Sequence, residues 1–452
     1  MTTEEVIAAL AACKTWKTDL SPMVRLMDEL GHPEKGLKYI HVGGTNGKGS
    51  TCAMLASVLQ QAGYRTGRFV SPYILEFRER IQMNGQMIPE EDLCRLGKRV
   101  TDTVRELEKI GVYPTEFDAV TAIGLLWFRE IQCDFVVLEV GVGGTIDSTN
   151  IIPAESSVLS VITSISLDHT AILGDSESAI AREKGGIFKE NGTVLLSGNI
   201  GKEAIAELEK MAEERCCTVY ISDPSCVTLK ESRPDGLTVL HDGKEQFLPL
   251  PGLYQLSNLA VVYRAVELLR EKGVQIPEEG VKKGLENLAF PARMELLGTS
   301  PLFWIDGAHN PEGIAALASS LKHLTAGKKT VILSGMMADK NCRDSVKLLA
   351  PLTSAAVTVT PNNPRALPAQ ELAKLWKENG VDARCAASVK EAVEKAISLA
   401  GKDGAVVCCG SLYLCSEIRP VALDYFKLMK EISISFDKSG EILHRTPNII
   451  VE

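Results

Sequence analysis

The chain has 452 residues, of which 45% are hydrophobic and 24% are charged, and its formal net charge is −9 at pH 7. This length is sufficient for two or three domains with separate cores, and the composition is ordinary for a soluble globular protein. The negative charge argues against a nucleic-acid-binding protein, because such proteins usually carry a basic surface.

The first predicted elements surround a glycine-rich loop. Residues 38–43 form a short apolar run that predicts a buried strand, residues 44–49 are rich in glycine, and a helical pattern begins near Cys52. The backbone N–H groups of such a loop and the positive end of the helix dipole bind phosphate. Lys48 supplies a charge for the outer phosphates, and a hydroxyl after it can reach Mg²⁺. This order of elements predicts a P-loop and therefore a bound nucleotide.

The spacing of this loop differs from the common GxxxxGK[ST] pattern. Val42 occupies the position of the first glycine, and Gly49 follows the lysine. The hydroxyl that contacts Mg²⁺ would therefore belong to Ser50 or Thr51. A glycine-rich loop without a ligand is the alternative interpretation, and the strand and helix on either side of the loop argue against it.

Strand and helix patterns then alternate to about residue 290. We predict strands at 65–70, 135–140, 158–165, 193–196 and 218–221, and helices at 91–110, 119–130, 177–186, 202–214, 255–272 and 278–288. Such alternation predicts a doubly wound, mostly parallel sheet. Two short strands between residues 237 and 250 flank Asp242-Gly243, which predicts an added antiparallel hairpin.

A second α/β series follows Pro291. We predict strands at 302–305, 330–333, 356–359 and 405–409, and helices at 312–324, 344–349, 369–379 and 389–399. The fold class is therefore α/β: an N-terminal P-loop sheet with a small antiparallel hairpin, and a smaller Rossmann-like C-terminal α/β domain. We place the domains at 1–292 and 293–452, and the pattern does not explain the last thirty or so residues.

The cysteines and the short length of the apolar runs indicate in which cellular compartment the protein resides. Twelve cysteines show neither CxxC pairs nor zinc-ligand spacing, which is typical of reduced core residues in a cytosolic protein. Residues 1–6 lack the basic and apolar regions of a signal peptide, and no apolar run approaches the length of a membrane span. We expect a cytoplasmic protein.

Polar residues follow several of the predicted strands. Ser71 follows the strand at 65–70, Glu139 lies at the end of the next strand, and Asp168 and His169 follow the strand at 158–165. Ligands of open α/β sheets collect at the carboxyl ends of the strands, and a glutamate with other oxygen ligands suits Mg²⁺. The alternatives are an ordinary strand-end carboxylate, a capping or packed histidine, and a plain Ser-Pro turn.

Seven segments of the chain together resemble the Mur ligase superfamily, and in particular its folylpolyglutamate synthase and dihydrofolate synthase branch. The similarity covers roughly residues 36–420, and the combination is far more specific than the phosphate loop alone. The segments are 44–50, 139–144, 164–169, 181–187, 306–311, 339–340 and 410–413.

The resemblance implies an ATP-dependent acid–amino acid ligase. ATP would phosphorylate the γ-carboxylate of a folate, and L-glutamate would displace phosphate from the acyl phosphate; dihydropteroate would serve as acceptor in a dihydrofolate synthase reaction. Cations would screen the negative charge of the transition state, and a closed cleft would protect the acyl phosphate from water. We expect ATP, L-glutamate and a folate or dihydropteroate as partners, no nucleic acid or membrane, and a monomer.

The resemblance also implies a set of ATP and metal ligands. Two Mg²⁺ ions would be held by Ser71, Glu139, His169 and Lys184, with Lys184 carbamylated so that a cation becomes an oxygen ligand. Unmodified, Lys184 would be a surface helix lysine. The catalytic residues would be Lys48, His169, Lys184 and Arg293. The ATP-binding residues would be Gly44, Thr45, Asn46, Gly47, Lys48, Gly49, Ser50, Asn258, Arg293 and Asp306.

Each of the more distant ATP ligands has a plain structural alternative. Asn258 would otherwise be a helix-face amide, Arg293 a linker charge and Asp306 a strand-end acid. For the substrates, the resemblance implies contacts from Phe117, Ile146, Asp147, Ser148, His309 and Ser411. A core phenylalanine and a helix-start histidine are the alternatives for Phe117 and His309.

The chain departs from the family pattern at several positions. Thr145 replaces the usual arginine, Ala292 replaces glycine, and Gly185 replaces alanine. Two other functions stay open: a Mur-type ligase for another carboxylate acceptor, and a non-catalytic ATP-binding switch. Only about forty residues precede the phosphate loop, which argues against a muramyl ligase with its N-terminal UDP-binding domain.

Overall fold

The computed structural model describes residues 1–14, 16–168 and 170–439. The chain divides into two compact units. The first comprises Met1–Arg293 with Ala315–Leu324, and the second comprises Met294–Ile314 with the residues from Thr325 onward. The functional division into domains 1–292 and 293–452 stays a prediction.

The first unit begins with two helices and then alternates between strands and helices. Its elements are α1 (Thr3–Ala11), α2 (Ser21–Leu30), β1 (Tyr39–Gly43), α3 (Lys48–Gln61), β2 (Thr66–Phe69), β3 (Ile81–Met83), β4 (Gln86–Met87), α4 (Glu90–Lys109), α5 (Glu116–Glu130), β5 (Phe135–Glu139), β6 (Ser157–Ile162), α6 (Thr170–Leu173), α7 (Glu177–Gly185), β7 (Thr193–Leu196), α8 (Lys202–Glu214), β8 (Thr218–Ile221), β9 (Thr228–Arg233), β10 (Gly236–His241), β11 (Lys244–Leu248), α9 (Gln255–Glu271) and α10 (Glu278–Glu286).

The main sheet of this unit has the strand order β4-β3-β2-β5-β1-β6-β7-β8. Strands β2, β5, β1, β6, β7 and β8 pair in parallel in that order. Strands β3 and β4 add an antiparallel extension at the β2 edge. In register, Val42 of β1 lies opposite Glu139 of β5. The carboxyl ends of β2, β5, β1 and β6 therefore meet at one edge, where ligands of such sheets bind.

Helices cover both faces of this sheet, as the doubly wound prediction requires. Ile40 and Val137 belong to an apolar core with α3, α9 and α10. Tyr39 and Val136 belong to a second core with α4 and α5. Successive side chains of a strand point to opposite faces, so a strand covered on both faces is apolar throughout. The predicted α/β class is confirmed.

The predicted hairpin is confirmed and is extended by a third strand. Strands β10 and β11 pair across Asp242 and Gly243, which have φ angles of 47° and 72°. Strand β9 pairs with β10 and completes a three-stranded antiparallel sheet. The segment 228–233 carries few apolar residues and is mostly exposed, so the apolar pattern did not predict this strand.

The second unit contains a sheet in the order β12-β13-β17-β14-β15-β16, in which only the edge strand β12 is antiparallel. The elements are β12 (Glu295–Thr299), β13 (Leu302–Ile305), α11 (Pro311–Leu324), β14 (Thr330–Ser334), α12 (Cys342–Leu349), β15 (Ala355–Thr358), α13 (Ala369–Glu378), β16 (Ala383–Cys385), α14 (Val389–Ala400), β17 (Ala405–Cys409) and α15 (Leu412–Ser439). Residues Ala315–Leu324 of α11 group with the first unit. Among the described helices, none combines the length and apolar composition that a membrane crossing requires.

Candidate active site

The glycine-rich loop joins β1 to α3 and adopts a conformation that only glycine accommodates. Gly44 and Gly47 have φ angles of 140° and 84°. A Cβ at Gly44 would lie 2.1 Å from Oγ1 of Thr163, and one at Gly47 would lie 2.4 Å from Oδ1 of Asn258. Glycine permits both the left-handed backbone and the close approach. Gly47 is the N-cap of α3, so the loop ends at the positive end of the helix dipole.

The residues after β6 hold this loop in place. The N–H of Thr45 donates to the carbonyl of Ser164 at 2.9 Å, and the N–H of Asn46 donates to Oγ of Ser164 at 2.9 Å. Oγ1 of Thr163 donates to the carbonyl of Asn46 at 2.6 Å. The strand predicted to extend to residue 165 ends at Ile162, because the residues after it contact the loop. The loop is therefore preorganised.

Two lysines converge on one carbonyl oxygen of the loop. Nζ of Lys48 donates to the carbonyl of Gly44 at 3.0 Å, and Nζ of Lys184 donates to the same oxygen at 2.9 Å. Lys184 is 5% exposed, so the surface-lysine alternative is wrong. Burial and then the nearby charge of Lys48 lower the pKa of Lys184 to about 7, while Asp168 and Asp147 oppose the shift. At neutral pH much of Lys184 is therefore an uncharged amine.

Glu139 supplies a buried carboxylate beside the two lysines. It is 5% exposed, and its carboxylate accepts a hydrogen bond from the N–H of Ser71 at 3.2 Å. Burial raises the pKa of Glu139, although Lys48, the Ser71 N–H and Arg293 act in the opposite direction. The protein thus neutralises this carboxylate incompletely, which fits a site that receives a cation.

The donor set around Glu139 fits magnesium better than zinc. Among the described residues, no group of three or more histidine, cysteine, aspartate or glutamate side chains could hold a metal ion. One carboxylate with hydroxyl and phosphate oxygens is a common Mg²⁺ environment. His169, another of the four predicted metal ligands, lies outside the described residues.

Helix α9 packs two amide side chains against the start of α3. Nδ2 of Asn258 donates to Oε1 of Gln255 at 2.8 Å, and Nε2 of Gln255 donates to Oγ of Ser50 at 3.2 Å. Asn258 therefore lies against the phosphate loop instead of lying free on a helix face. Gln255 was not predicted as a site residue, although it lies one turn before Asn258. Oγ1 of Thr51 is buried without a hydrogen-bond partner.

Arg293 lies near the same carboxylate. Its charge lowers the pKa of Glu139, and its guanidinium lies 5.4 Å from the ring centre of Phe290. Nη1 of Arg293 donates to the carbonyl of Ala292 at 3.0 Å. Ala292 has a φ of 53°, in the region that glycine adopts without steric cost. Arg293 is half-buried, so its charge is available at this edge of the sheet.

A second polar cluster, which we call the Lys17 cluster, contains Lys17, Thr115, Asp118 and Ser148. Asp118 accepts hydrogen bonds from Nζ of Lys17, Oγ of Ser148 at 2.7 Å, and the N–H and Oγ1 of Thr115 at 2.8 and 2.9 Å. Lys17 and Asp118 were not predicted as site residues. No local signal links them, because they are far apart in the chain.

Of the predicted substrate residues in the first unit, Ser148 belongs to this cluster and Asp147 is its neighbour in the chain. The carboxylate of Asp147 accepts from the N–H groups of Gly141 and Val142 at 3.1 and 3.0 Å, and from the N–H and Oγ1 of Thr149 at 3.0 and 2.5 Å. These donors occupy the lone pairs of the carboxylate, so Asp147 holds the loop after β5 in place.

Two further predicted substrate residues are Phe117, which packs against this loop, and Ile146, which belongs to it. Phe117 is half-buried, and a Cβ added to Gly141 would lie 2.7 Å from its ring. The same ring packs 5.9 Å from the ring centre of Phe69. Ile146 is half-buried in the same loop.

The three predicted site residues of the second unit follow two neighbouring strands. Asp306 follows β13, and its carboxylate accepts from the N–H groups of Met294 and Ala308, both at 2.9 Å. Nδ1 of His309 lies 2.9 Å from the carbonyl of Gly307. Ser411 follows β17, and its hydroxyl accepts from the N–H of Tyr413 at 3.1 Å. Strands β13 and β17 are adjacent and parallel, so these residues share one edge of their sheet.

Comparison with known proteins places the chain among ligases. A model of the Mur ligase middle domain matches residues 42–266, and a model of the Mur ligase glutamate ligase domain matches residues 292–412. The chain is 36% identical over 419 residues to the dihydrofolate synthase/folylpolyglutamate synthase of Bacillus subtilis (strain 168), which covers 89% of this chain and 94% of that relative.

Solved structures show the same similarity over most of the chain. The structure of Mycobacterium tuberculosis folylpolyglutamate synthase complexed with ADP superposes with a TM-score of 0.84 at 27% identity, over 93% of this chain and 98% of that one. A bifunctional folylpolyglutamate synthase/dihydrofolate synthase with Mn, AMPPNP and L-glutamate bound superposes with a TM-score of 0.79 at 26% identity, over 93% and 98% of the two chains.

Proposed function

This chain belongs to the Mur ligase family, in its folylpolyglutamate synthase and dihydrofolate synthase branch, and we propose that it adds L-glutamate to the γ-carboxylate of a folate. It is an ATP-dependent amino acid ligase that works through an acyl phosphate. The observation that carries this proposal is the convergence of Lys48 and Lys184 on the Gly44 carbonyl, beside the buried carboxylate of Glu139. Dihydrofolate synthase activity on dihydropteroate is proposed as a second reaction of the same site.

The phosphate loop binds the triphosphate of ATP. Gly44, Thr45, Asn46, Gly47, Lys48, Gly49 and Ser50 present backbone N–H groups, a lysine and a hydroxyl at the start of α3. Lys48 neutralises phosphate charge that develops as the acceptor carboxylate is phosphorylated, and Arg293 adds a second positive charge near Glu139. Asn258 lies against the loop, and we assign it and Asp306 to the nucleotide.

Glu139 and Ser71 provide the metal site, together with Lys184 and His169. A divalent cation supplies positive charge that neutralises the phosphates and the attacking carboxylate. The bound Mn of the related bifunctional enzyme supports a divalent ion here. We propose two Mg²⁺ ions for this chain, and Glu139 is the ligand that its burial beside Lys48 supports most directly.

Lys184 is proposed to be carbamylated. Its uncharged amine attacks CO₂, a nitrogen–carbon bond forms, and one proton leaves to solvent, so that the neutral amine becomes a carbamate anion. The pKa of about 7 makes the uncharged amine available at neutral pH. The change also removes the repulsion between Lys184 and Lys48 at the Gly44 carbonyl.

The remaining predicted residues are assigned to the two other substrates. Phe117, Ile146, Asp147 and Ser148 lie around the loop that follows Glu139, and we propose that they shape the acceptor site. His309 and Ser411 are proposed to contact L-glutamate. We also propose that the protein acts as a cytoplasmic monomer on small molecules alone, without nucleic acid or membrane, which its charge of −9 supports.

The test is a reaction with two alternative acceptors. Purified full-length protein is incubated with ATP, Mg²⁺, L-glutamate and either tetrahydrofolate or dihydropteroate, and ADP and product mass are measured. We expect ADP release that depends on an acceptor and a product heavier by one glutamate residue. A product with tetrahydrofolate alone would restrict the enzyme to folylpolyglutamate synthesis. If neither acceptor causes ADP release, the folate assignment is contradicted and another carboxylate acceptor is favoured. If the protein binds ATP but ligates nothing, a non-catalytic switch is favoured.

A further inference from the structure

A polar cavity of about 320 Å³ lies between α3 and the edge of the main sheet, outside every residue assigned above. Residues of β2 and β3 form one wall, α3 forms a second, and the segment 287–289 after α10 forms a third. The lining residues are Ala53, Ala56, Ser57, Gln60, Gln61, Thr66, Arg68, Gln82, Asn84, Gly85, Asn287, Leu288 and Ala289. Among the described residues, no acidic side chain lines the cavity, and Arg68 is its one charged group.

The cavity follows from the side chains that this part of the sheet presents to α3. Phe69 packs in the core beneath α4 and α5, so Thr66 and Arg68 point to the opposite face, toward α3. Ala53 and Ala56 are the helix residues above them, and both are too small to fill the space. Helix–sheet interfaces are normally filled by large apolar side chains, so a polar gap at this position is unusual.

A neighbouring amide holds the Arg68 guanidinium in a defined position. Nη2 of Arg68 donates to Oε1 of Gln82 at 2.5 Å, and Nε2 of Gln82 donates to the carbonyl of Glu79 at 2.8 Å. Gln82 lies directly opposite Arg68 in the strand ladder. Phe290 covers another side, with its ring centre 5.8 Å from Cζ of Arg68. The remaining donors of the guanidinium are not directed at Gln82.

The positive charge of Arg68 has no close counter-ion in the described part of the chain, where no carboxylate oxygen lies within 4.0 Å of it. Glu79 and Glu139, whose charges raise the pKa of Arg68, accept their hydrogen bonds from backbone N–H groups. Glu79 accepts hydrogen bonds from three backbone N–H groups of residues 74–76, and Glu139 accepts from Ser71. Partial burial lowers the pKa of Arg68, while the charges of Glu139 and Glu79 act in the opposite direction. Arg68 is half-buried, and it keeps guanidinium N–H donors that the hydrogen bond to Gln82 does not use, so an external anion can pair with them.

We propose that this cavity binds a small organic anion whose carboxylate pairs with Arg68. The planar guanidinium matches a carboxylate with two parallel hydrogen bonds. Gln60, Asn84 and Asn287 place amide groups around the space left for the rest of the ligand. The volume lies within the range of small-molecule sites. None of the residues that line the cavity is assigned to the proposed ligase chemistry.

The test is a calorimetric titration of the full-length protein with glutarate, in the presence of saturating ADP and Mg²⁺. Glutaramide, the neutral isostere, and inorganic phosphate are titrated in parallel. We expect one saturable glutarate site, no binding of glutaramide and weaker binding of phosphate. Arg68→Met should weaken glutarate binding at least tenfold, and so should Ala56→Leu, which fills the cavity without removing the charge.

Thermal unfolding shows whether each variant is folded. If one variant does not fold, glutarate binding by the other variant is the test. Undiminished glutarate binding in a folded Arg68→Met or Ala56→Leu protein would overturn the proposed site. Tighter binding of phosphate than of glutarate at the same site would overturn the carboxylate assignment. The absence of saturable binding by wild-type protein would overturn the proposal while leaving the ligase assay unaffected.

Discussion

The phosphate-loop site and the Lys17 cluster both contain buried charged groups, but their hydrogen bonding differs. In the Lys17 cluster, one lysine faces one aspartate, and Asp118 accepts four hydrogen bonds. At the phosphate loop, two lysines contact one carbonyl oxygen, and burial raises the pKa of the nearby Glu139.

The difference indicates which cluster is built for a ligand. A saturated cluster stabilises the fold, because every buried polar group has a partner. An incompletely compensated cluster costs stability in the free protein and persists where function requires it. Substitutions in the two clusters should therefore have opposite effects on stability and unequal effects on ligation.

The largest effect on ligation is expected for Lys48→Ala. Removing the charge that stabilises the transferring phosphate should lower turnover by about 10³-fold. The measurement is acceptor-dependent ADP release, and the matched control is Lys202→Ala, which removes an exposed lysine at the start of α8. Near-normal turnover of Lys48→Ala would refute the role of the loop in phosphate transfer.

Glu139→Gln should lower ligation by about 10²-fold, because a metal ligand is lost. It should also make the metal-free protein more stable. Since the folded-state pKa of Glu139 is raised from 4.5, the stability it contributes is present at low pH and is lost as the pH rises through that raised pKa. Urea unfolding should show that Glu139→Gln has a larger free energy of unfolding than wild type at pH 7, and that this difference shrinks toward pH 4.5. Equal stability of both proteins at pH 7 would mean that neighbouring groups of the folded protein already stabilise the charged Glu139 carboxylate.

Lys184→Met should lower ligation by about tenfold or more, and it should remove a carbamate signal from the ¹³C NMR spectrum of protein equilibrated with ¹³CO₂. Its folded-state pKa is lowered from 10.5 to about 7, so the protonated form is disfavoured in the folded protein. The stability penalty of Lys184 is absent above pH 10.5 and grows as the pH falls toward 7. Without CO₂, the variant should gain stability at pH 7 relative to wild type. A carbamate signal that survives in Lys184→Met would assign the modification to another lysine.

The smallest effect on ligation, below tenfold per folded molecule, is expected for Lys17→Met. This change leaves Asp118 buried without its cation, which should lower the free energy of unfolding by about 3–5 kcal/mol. Lys98→Met is the control, because Lys98 pairs with Asp102 on the surface, where a pair contributes about 0–1 kcal/mol. A large loss of turnover with unchanged stability would move Lys17 into the reaction site.

Local patterns predicted much of the fold correctly. The strand, glycine loop and helix around residues 38–61 were predicted from apolar runs and glycine spacing, and both are properties of neighbouring residues. The alternation of strands and helices gave the doubly wound sheet for the same reason. Strand β9 was not predicted because its side chains are mostly exposed. Strand β6 is shorter than predicted, because the residues that follow Ile162 continue the strand pattern in sequence but contact the phosphate loop.

The sequence by itself determined which chemical groups follow which strands, because strand ends and glycine turns are local features. Only the tertiary structure decided which of these groups have hydrogen-bond or ion-pair partners in the folded protein. Lys184 contacts the Gly44 carbonyl across 140 positions of the chain, and Asp118 meets Lys17 across 101. Burial and the number of hydrogen-bond partners depend on such distant contacts, and they are what separate a group that awaits a ligand from one that supports the fold.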